Sequence, residues 1–348
     1  MNRLAKLTRR GLVAGVLLSF LSTSAQTRAI GPQNQLIDPT FDAVVRVLYD
    51  NPGQQDDGDG YMNGTGTIID HHNVGGEGVL CVLTADHVVS KTGTFGGALV
   101  DKPGIAFGNS AKDSGNSPYW VANPNVQRYG ANGTSDYAVL SVKYGAYNPD
   151  YDTLVRDLIP ASSFFDFTVI GYGNEGQLVD QFPPPGDDGY QSQGVYGTQR
   201  YMNDKVSTYA TEAANFSAIG YTYLEAAIWY IDDPFAAGSA DGSGTTFDAD
   251  SGSPYFSSEF ADDGANDIFY LTNNQFGVHT GTILDNNPPG SPAGYKAFGV
   301  ENYGVALTQA DIDWIHSACL RLIPEPNSLT LMLVAVVAAG WRRRSVTT

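Results

Sequence analysis

Short runs of β-branched and aromatic residues, separated by clusters of Asp, Asn and Gly, recur along most of the chain. Val44-Val45-Arg46-Val47-Leu48-Tyr49 is one run, Gly64-Thr65-Gly66-Thr67-Ile68-Ile69 the next, and Gly78 to Thr84 a third. Ile105-Ala106-Phe107, Tyr119-Trp120-Val121 and Tyr137 to Val142 continue the series. Runs of this length bounded by turn residues predict strands, and their number predicts a barrel. The apolar pattern breaks between Asp150 and Ser163, around Pro160, which reads as a linker. Phe167-Thr168-Val169-Ile170-Gly171-Tyr172-Gly173 then opens a second set of strands. Leu224 to Ile231, Phe269-Tyr270-Leu271, Phe276 to Thr280 and Phe298-Gly299-Val300 extend it. Pro183-Pro184-Pro185-Gly186-Asp187-Asp188 reads as an exposed loop, because three prolines remove three backbone donors.

The pattern changes period near the end. Thr308-Gln309-Ala310-Asp311 resembles a capping box, and Ile312, Ile315, Cys319 and Leu322 then fall on one helical face. A helix through Leu322 that covers the barrel is expected. At the other end, residues 1–25 read as a signal peptide: basic Arg3 to Arg10, apolar Leu12 to Leu21, then the small-residue site Thr23-Ser24-Ala25. Thr8-Arg9-Arg10-Gly11-Leu12-Val13 also resembles a twin-arginine leader.

Composition supports this reading. Gly 40, Tyr 20 and Phe 16 in 348 residues, with 16% charged, suit a turn-rich β protein better than a helical bundle. Lys and Arg total 19 against 37 Asp and Glu, a net charge of −18. Arg3, Lys6, Arg9, Arg10, Arg342, Arg343 and Arg344 lie in the terminal segments, so the part between them is more acidic still. Such a surface repels nucleic acid, which is not an expected partner. Two cysteines make no disulfide framework, and Cys81 and Cys319 read as buried free thiols rather than a bridge.

Asp248-Ala249-Asp250-Ser251-Gly252-Ser253-Pro254 is the stretch around which candidate chemistry gathers. A serine between small residues on a tight turn can present its hydroxyl while backbone N–H groups point past it, as acyl transfer requires. Thr84-Ala85-Asp86-His87-Val88-Val89 offers a histidine at the end of an apolar run. Ser135-Asp136-Tyr137-Ala138-Val139-Leu140 offers an aspartate at the mouth of another. The order His, Asp, Ser is one of three in which such triads occur.

On these motifs the chain, from about residue 41 to 321, resembles the trypsin-like (chymotrypsin-fold) serine proteases. The resemblance implies an all-β fold of two six-stranded antiparallel β-barrels with a C-terminal helix. It places the first barrel at 41–155, the second at 164–306 and the closing helix at 307–322. It implies that His87 is the general base, Asp136 its orienting carboxylate and Ser251 the nucleophile. The N–H groups of Ala249 and Ser251 would form the oxyanion hole, with Ala249 where the family usually has Gly. Val88 stands where animal members usually have cysteine, which points to a bacterial-style member. Thr245, at the base of the substrate pocket, argues against a preference for Arg or Lys. Thr246 and His279, the latter within Gly277-Val278-His279-Thr280-Gly281, resemble the glutamyl-endopeptidase branch, implying an acidic P1 residue bound near His279, Thr280 and Gly281, with a small or apolar P1 as the alternative. Family zymogens free an amine that pairs with the carboxylate before the serine, here Asp250, and Arg28-Ala29-Ile30-Gly31 weakly resembles an activation cleavage site. The expected partner is a protein or peptide substrate, and the chemistry needs no cofactor and no metal. An inactive protease-like binding or matrix protein at the cell surface is the alternative.

Two further polar clusters read as structure. Asp70-His71-His72-Asn73 is expected to be a solvated polar turn, and Asp56-Asp57-Gly58-Asp59-Gly60 an acidic hairpin tip without full calcium-loop spacing. The tail, 323–348, resembles a PEP-CTERM sorting signal: Pro324-Glu325-Pro326, an apolar stretch from Leu329 to Trp341, then Arg342-Arg343-Arg344. That resemblance implies transient membrane contact, processing by an exosortase-type enzyme in a Gram-negative-type envelope, and delivery to the cell surface or extracellular matrix.

Overall fold

The computed structural model describes residues 42–49, 62–100, 103–107, 119–121, 125–128, 130, 135–161, 166–173, 176–182, 187–192, 199–205, 208–210, 215–216, 221–222, 227–231, 250–262, 267–283, 295–297 and 301–323. The leader, the sorting tail beyond residue 323, the Asp56 to Gly60 cluster, the Pro183 to Gly186 run, Phe298 to Val300, Thr245, Thr246 and Ala249 lie outside these residues.

The first sheet contains β1 (Val44–Tyr49), β2 (Met62–Val74), β3 (Glu77–Thr84), β4 (Pro103–Ala106), β5 (Tyr119–Trp120), β6 (Val126–Arg128) and β7 (Ala138–Ala146). Its strand order is β5-β4-β1-β2-β3-β7-β6, every pair antiparallel, and β5 comes back toward β7 to curl the sheet. β2 and β3 are joined by Gly75-Gly76, with φ of 65° and 93°. A two-residue hairpin with positive φ at both positions follows the twist of its strands and favours glycine.

The linker region is anchored to both sheets. A 3-10 turn at Pro149–Leu154 leads to β8 (Asp157–Leu158), which pairs in parallel with a strand of the second sheet. Arg156 donates its N–H to Ile68 at 3.0 Å, Ile159 to Gln275 at 3.0 Å and Ala161 to Leu307 at 2.8 Å.

The second region contains β9 (Asp166–Gly171), β10 (Gly176–Phe182), β11 (Asp187–Ser192), β12 (Arg200–Lys205), β13 (Thr208–Ala210), β14 (Asn215–Phe216), β15 (Tyr221–Thr222) and β16 (Ala227–Ile231). β17 (Pro254–Asp262), β18 (Asp267–Ile283), β19 (Tyr295–Ala297) and β20 (Glu301–Ala306) complete it. The main sheet runs β12-β9-β17-β18-β20-β16-β13 with β8 beside β18; β10, β11 and β19 form a three-stranded sheet, and β14 pairs β15. The chain therefore has the all-β, chymotrypsin-like arrangement that its motifs imply. The main sheets hold seven and eight strands rather than the expected six, because short strands such as β5, β6 and β13 extend their edges and β8 branches off the interior strand β18. Two local expectations are corrected. Asp187-Asp188 begin β11 instead of lying in a loop, and His71-His72 sit inside β2.

The helix α1 (Gln309–Leu322) starts where its capping box predicts. Asp311 donates its N–H to Thr308 Oγ1 at 3.2 Å, and Thr308 returns its own to Asp311 Oδ2 at 2.8 Å. Ile312, Ile315, Ala318, Cys319 and Leu322 are buried in one core with Leu80, Val82 and Leu140 of the first sheet and Tyr137 just before β7, and Val278 and Val305 of the second join it. Cys81 and Cys319 are free and buried. A smaller cluster of Val44, Ile170, Tyr172 and Phe256 also bridges the sheets.

Candidate active site

Strand register brings the candidate base and its carboxylate together. Thr84, the last residue of β3, pairs with Ala138, the first of β7. In an antiparallel pair these ends are neighbours, so the segment leaving β3 and the one entering β7 emerge side by side. After Thr84 the chain folds into a 3-10 turn at His87–Val89, with Val88 and Val89 buried as anchors and the His87 side chain 12% exposed. Asp136 is wholly buried. Its Oδ1 accepts the backbone N–H of His87 at 2.9 Å, and its Oδ2 lies 2.8 Å from His87 Nδ1. One carboxylate thus fixes both the backbone and the ring. With Nδ1–H donating to Asp136, Nε2 carries the lone pair.

A second carboxylate adjoins this pair. Asp86 is fully buried and gripped by Arg128, whose Nε donates to Oδ1 at 2.6 Å and Nη2 to Oδ2 at 2.9 Å. Gly96 N–H adds a bond of 3.0 Å to Oδ2, and Arg128 Nη1 donates to Gly97 O at 2.8 Å. Burial pushes the Asp86 carboxyl up, against the pull of Arg128 and Gly96. For His87, burial alone would lower the imidazole, but the charge and hydrogen bond of Asp136, with the charge of Asp86, raise it above its ordinary value of 6.5.

The serine turn is held from both sheets. Gly252 has φ of 86°, the left-handed region that favours glycine. Its N–H donates to His279 O at 2.8 Å, His279 N–H donates to Ser253 O at 2.8 Å, and Ser253 N–H closes the turn on Asp250 O at 2.9 Å. From the first sheet, Thr65 N–H donates to Ser251 O at 2.9 Å. Gly64 admits this approach: a Cβ there would lie 2.7 Å from Ser251 O and 2.8 Å from Val88 Cγ1. One glycine therefore touches the serine turn on one side and the residue after His87 on the other. Ser251 is partly exposed, and its Oγ donates to Thr280 O at 3.3 Å.

The expected pocket residues divide. His279, Thr280 and Gly281 lie on β18 beside Ser251, because β17 begins at Pro254 opposite Val278. His279 is 1% exposed, its Nδ1 held 2.8 Å from Tyr255 Oη. Thr280 Oγ1 is buried without a hydrogen-bond partner. Among the described residues no group of three or more His, Cys, Asp or Glu is arranged to hold a metal ion.

His71 is not in a solvated turn. Its side chain is 1% exposed, with Nδ1 2.6 Å from Asp152 Oδ1 and Nε2 2.7 Å from Tyr144 Oη, and its ring stacks on Tyr147 with centroids 4.7 Å apart. This clasp ties β2 to the 3-10 turn of the linker. Sequence reading missed it, along with Arg128 and Tyr255. A charged Asp86 beside His87 at the end of a buried strand was the one local signal that a counter-charge had to exist.

No family model and no curated protein matches the chain. Solved structures resemble it in fold. A protease named Anisep from Arthrobacter nicotinovorans is 12% identical, with 85% of this chain and 98% of that chain covered and a TM-score of 0.43. A Glu endopeptidase in complex with MPD is 16% identical over 82% and 95% of the two chains, TM-score 0.43. A mutant of human heparin binding protein is 12% identical over 83% and 96%, TM-score 0.48.

Proposed function

We propose that the chain is an exported serine endopeptidase that hydrolyses peptide bonds through an acyl-enzyme. The observation that carries this reading is the Asp136–His87 pair at 2.8 Å, with the Ser251 turn against the same Gly64 that borders the His87 turn. Attack requires the Ser251 hydroxyl to give up Thr280 O, to which it donates at 3.3 Å, for Nε2 of His87, a change between staggered χ1 positions. Neutral His87 takes the hydroxyl proton as Oγ attacks the peptide carbonyl, and Asp136 holds the tautomer and stabilises the imidazolium. The N–H groups of Ala249 and Ser251 receive the oxyanion. The intermediate collapses as His87 gives the proton to the leaving amine. Water, deprotonated by His87, then attacks the acyl carbon and releases Ser251.

For specificity we propose an acidic P1 residue, received by His279 with Thr280, Gly281, Thr245 and Thr246. Buried histidine and hydroxyl groups suit a carboxylate through charge-assisted hydrogen bonds. Export by the 1–25 leader and processing of the 323–348 tail by an exosortase-type enzyme complete the proposal and rest on the sequence motifs. They would bring transient membrane contact and place the mature protein at the cell surface or in the extracellular matrix.

The alternative, an inactive protease-like binding or matrix protein, draws on the Ser251 hydroxyl donating to Thr280 O. A fluorophosphonate probe separates the two. The peptidase labels, and Ser251→Ala abolishes labelling; wild-type protein that does not label is the binding protein. Cleavage-site profiling on a peptide library then reads the residue on the acyl side of each cut.

A further inference from the structure

We propose that Arg128 is a positioning residue for His87: by holding both oxygens of Asp86, it keeps that carboxylate from capping the His87 turn and leaves the turn to Asp136. Three strands end in one row. Thr84 closes β3 opposite Ala138, and Arg128 closes β6 opposite the same Ala138 from the other side. Residues so paired project to one face of the sheet. Asp86 lies two residues past Thr84 and Asp136 two before Ala138, so two carboxylates flank the base at the mouth of the same strands. They divide the work. Asp136 takes the His87 N–H at 2.9 Å and the ring Nδ1 at 2.8 Å, and Asp86 takes neither.

Asp86 nevertheless stands at the N-cap of the turn His87–Val89. An aspartate there ordinarily adopts extended backbone and folds its side chain onto the N–H groups ahead of it. Here the backbone is helical, φ −63° and ψ −42°, and the side chain makes no capping bond. The reason lies in what holds it. Arg128 meets the carboxylate side-on, Nε to Oδ1 at 2.6 Å and Nη2 to Oδ2 at 2.9 Å, a paired contact that fixes orientation as well as charge. Gly96 N–H reaches Oδ2 at 3.0 Å, and Arg128 Nη1 donates to Gly97 O at 2.8 Å. Both oxygens are thereby committed to β6 and to the loop that follows the turn.

Asp86 is 0% exposed and the Arg128 side chain 8% exposed, so water offers this carboxylate little in exchange. Without the guanidinium, a buried carboxylate takes the nearest donors it can reach. Those ahead of it are the amides of its own turn, whose bonds are long: Val88 N–H to Ala85 O at 3.3 Å and Val89 N–H to Asp86 O at 3.2 Å. A carboxylate outcompetes such carbonyls. Moving Asp86 into the capping conformation changes the backbone that leads into His87, and with it the aim of the ring at Asp136. The effect of Arg128 on rate rests on the peptidase reading above.

The experiment compares Arg128→Met, Asp86→Ala and the double variant in the full chain, with Arg128→Lys as the conservative change. It is read by the second-order rate of fluorophosphonate labelling of folded protein and by deuterium-exchange protection of the His87 amide relative to that of Val82. Arg128→Met should slow labelling about 100-fold and strip the His87 amide of protection. Deleting the released carboxylate should undo this: the double variant labels about tenfold faster than Arg128→Met and regains the protection. Arg128→Lys, which keeps the charge without the side-on pair, falls between Arg128→Met and wild type. A pair that merely stabilises the fold would show rescue in the urea midpoint and not in the labelling of folded protein. A double variant as slow as Arg128→Met, or Arg128→Met that labels like wild type, overturns the proposal. If Arg128→Met does not fold, Arg128→Lys and its double with Asp86→Ala carry the same comparison. If wild-type protein is not labelled, the peptidase reading fails, and loss and recovery of His87 amide protection decide the positioning role by themselves.

Discussion

The hydroxyl of Tyr137 donates to Asp311 Oδ1 at 2.5 Å, joining the residue after Asp136 to the capping box of the closing helix. Asp311 uses its other oxygen for the Thr308 N–H, so one buried carboxylate both starts α1 and buttresses the loop that carries Asp136. Trp314, one turn along, sets its ring edge-on to Tyr137 at 5.5 Å. Tyr137→Phe removes the bond but keeps the ring, and should cost about 1.5–3 kcal/mol as a hydrogen bond to a charged group. Urea denaturation measures it. A loss in kcat/KM larger than the stability change explains would show that the helix also keeps Asp136 in register.

The pH dependence follows from the charges facing His87: Asp136, Asp86 and, behind Asp86, Arg128. In the proposed mechanism His87 acts as a base in its neutral form. Because its folded value lies above 6.5, the acid limb of kcat/KM should have its midpoint above that of a free imidazole. Asp86→Asn should move the midpoint down. The linkage has the same origin: the stability from protonated His87 is fully present below the unfolded value and is lost as pH rises through the folded one. Titrating the imidazole by NMR in wild type and Asp86→Asn checks both statements.

Gly64→Ala tests the close approach of the two halves of the site. The added methyl would press on Ser251 O at 2.7 Å and Val88 Cγ1 at 2.8 Å. Overpacking of this kind costs about 1–3 kcal/mol, but the displaced groups are the serine turn and the base turn. We expect a fall in kcat/KM of about 100-fold in protein that still melts cooperatively. Calorimetry and single-turnover kinetics measured together separate the two effects.

The thiols should be inert in the native state. Burial, with a hydrogen bond and the charge of the adjacent Cys319, raises Cys81 well above the ordinary thiol value, so little thiolate is present to react. Mass spectrometry after iodoacetamide should find both cysteines unmodified in native protein and both alkylated after unfolding.

What could be read from sequence divides by the range of the contact that creates it. The strands that end before His87 and begin after Asp136 were legible because each is marked by its own apolar run. Paired β3 and β7 then bring those ends together. The capping box of α1 was legible for the same reason, all its parts lying within four residues. Arg128 was not: it lies 42 residues from Asp86 with no local pattern marking it as a partner. His71 was misread because polar residues before two glycines look like a turn. Here the turn is confined to Gly75-Gly76, while β2 continues through His71 to reach Asp152, 81 residues on. The candidate pocket shows both cases. His279 stood out in its strand, but the Tyr255 that fixes its ring is evident only once β17 lies beside β18.

Thr65 belongs to the first sheet yet bonds to two elements of the second: its N–H holds Ser251 O at 2.9 Å and its Oγ1 accepts Tyr172 N–H at 3.1 Å. On the proposed mechanism the reacting centre is therefore owned jointly, and neither portion of the polypeptide is expected to work by itself. Fragments made separately by cutting in the 150–163 connection would each be silent, and activity would return only on mixing, in step with protection of the Thr65 amide from deuterium exchange.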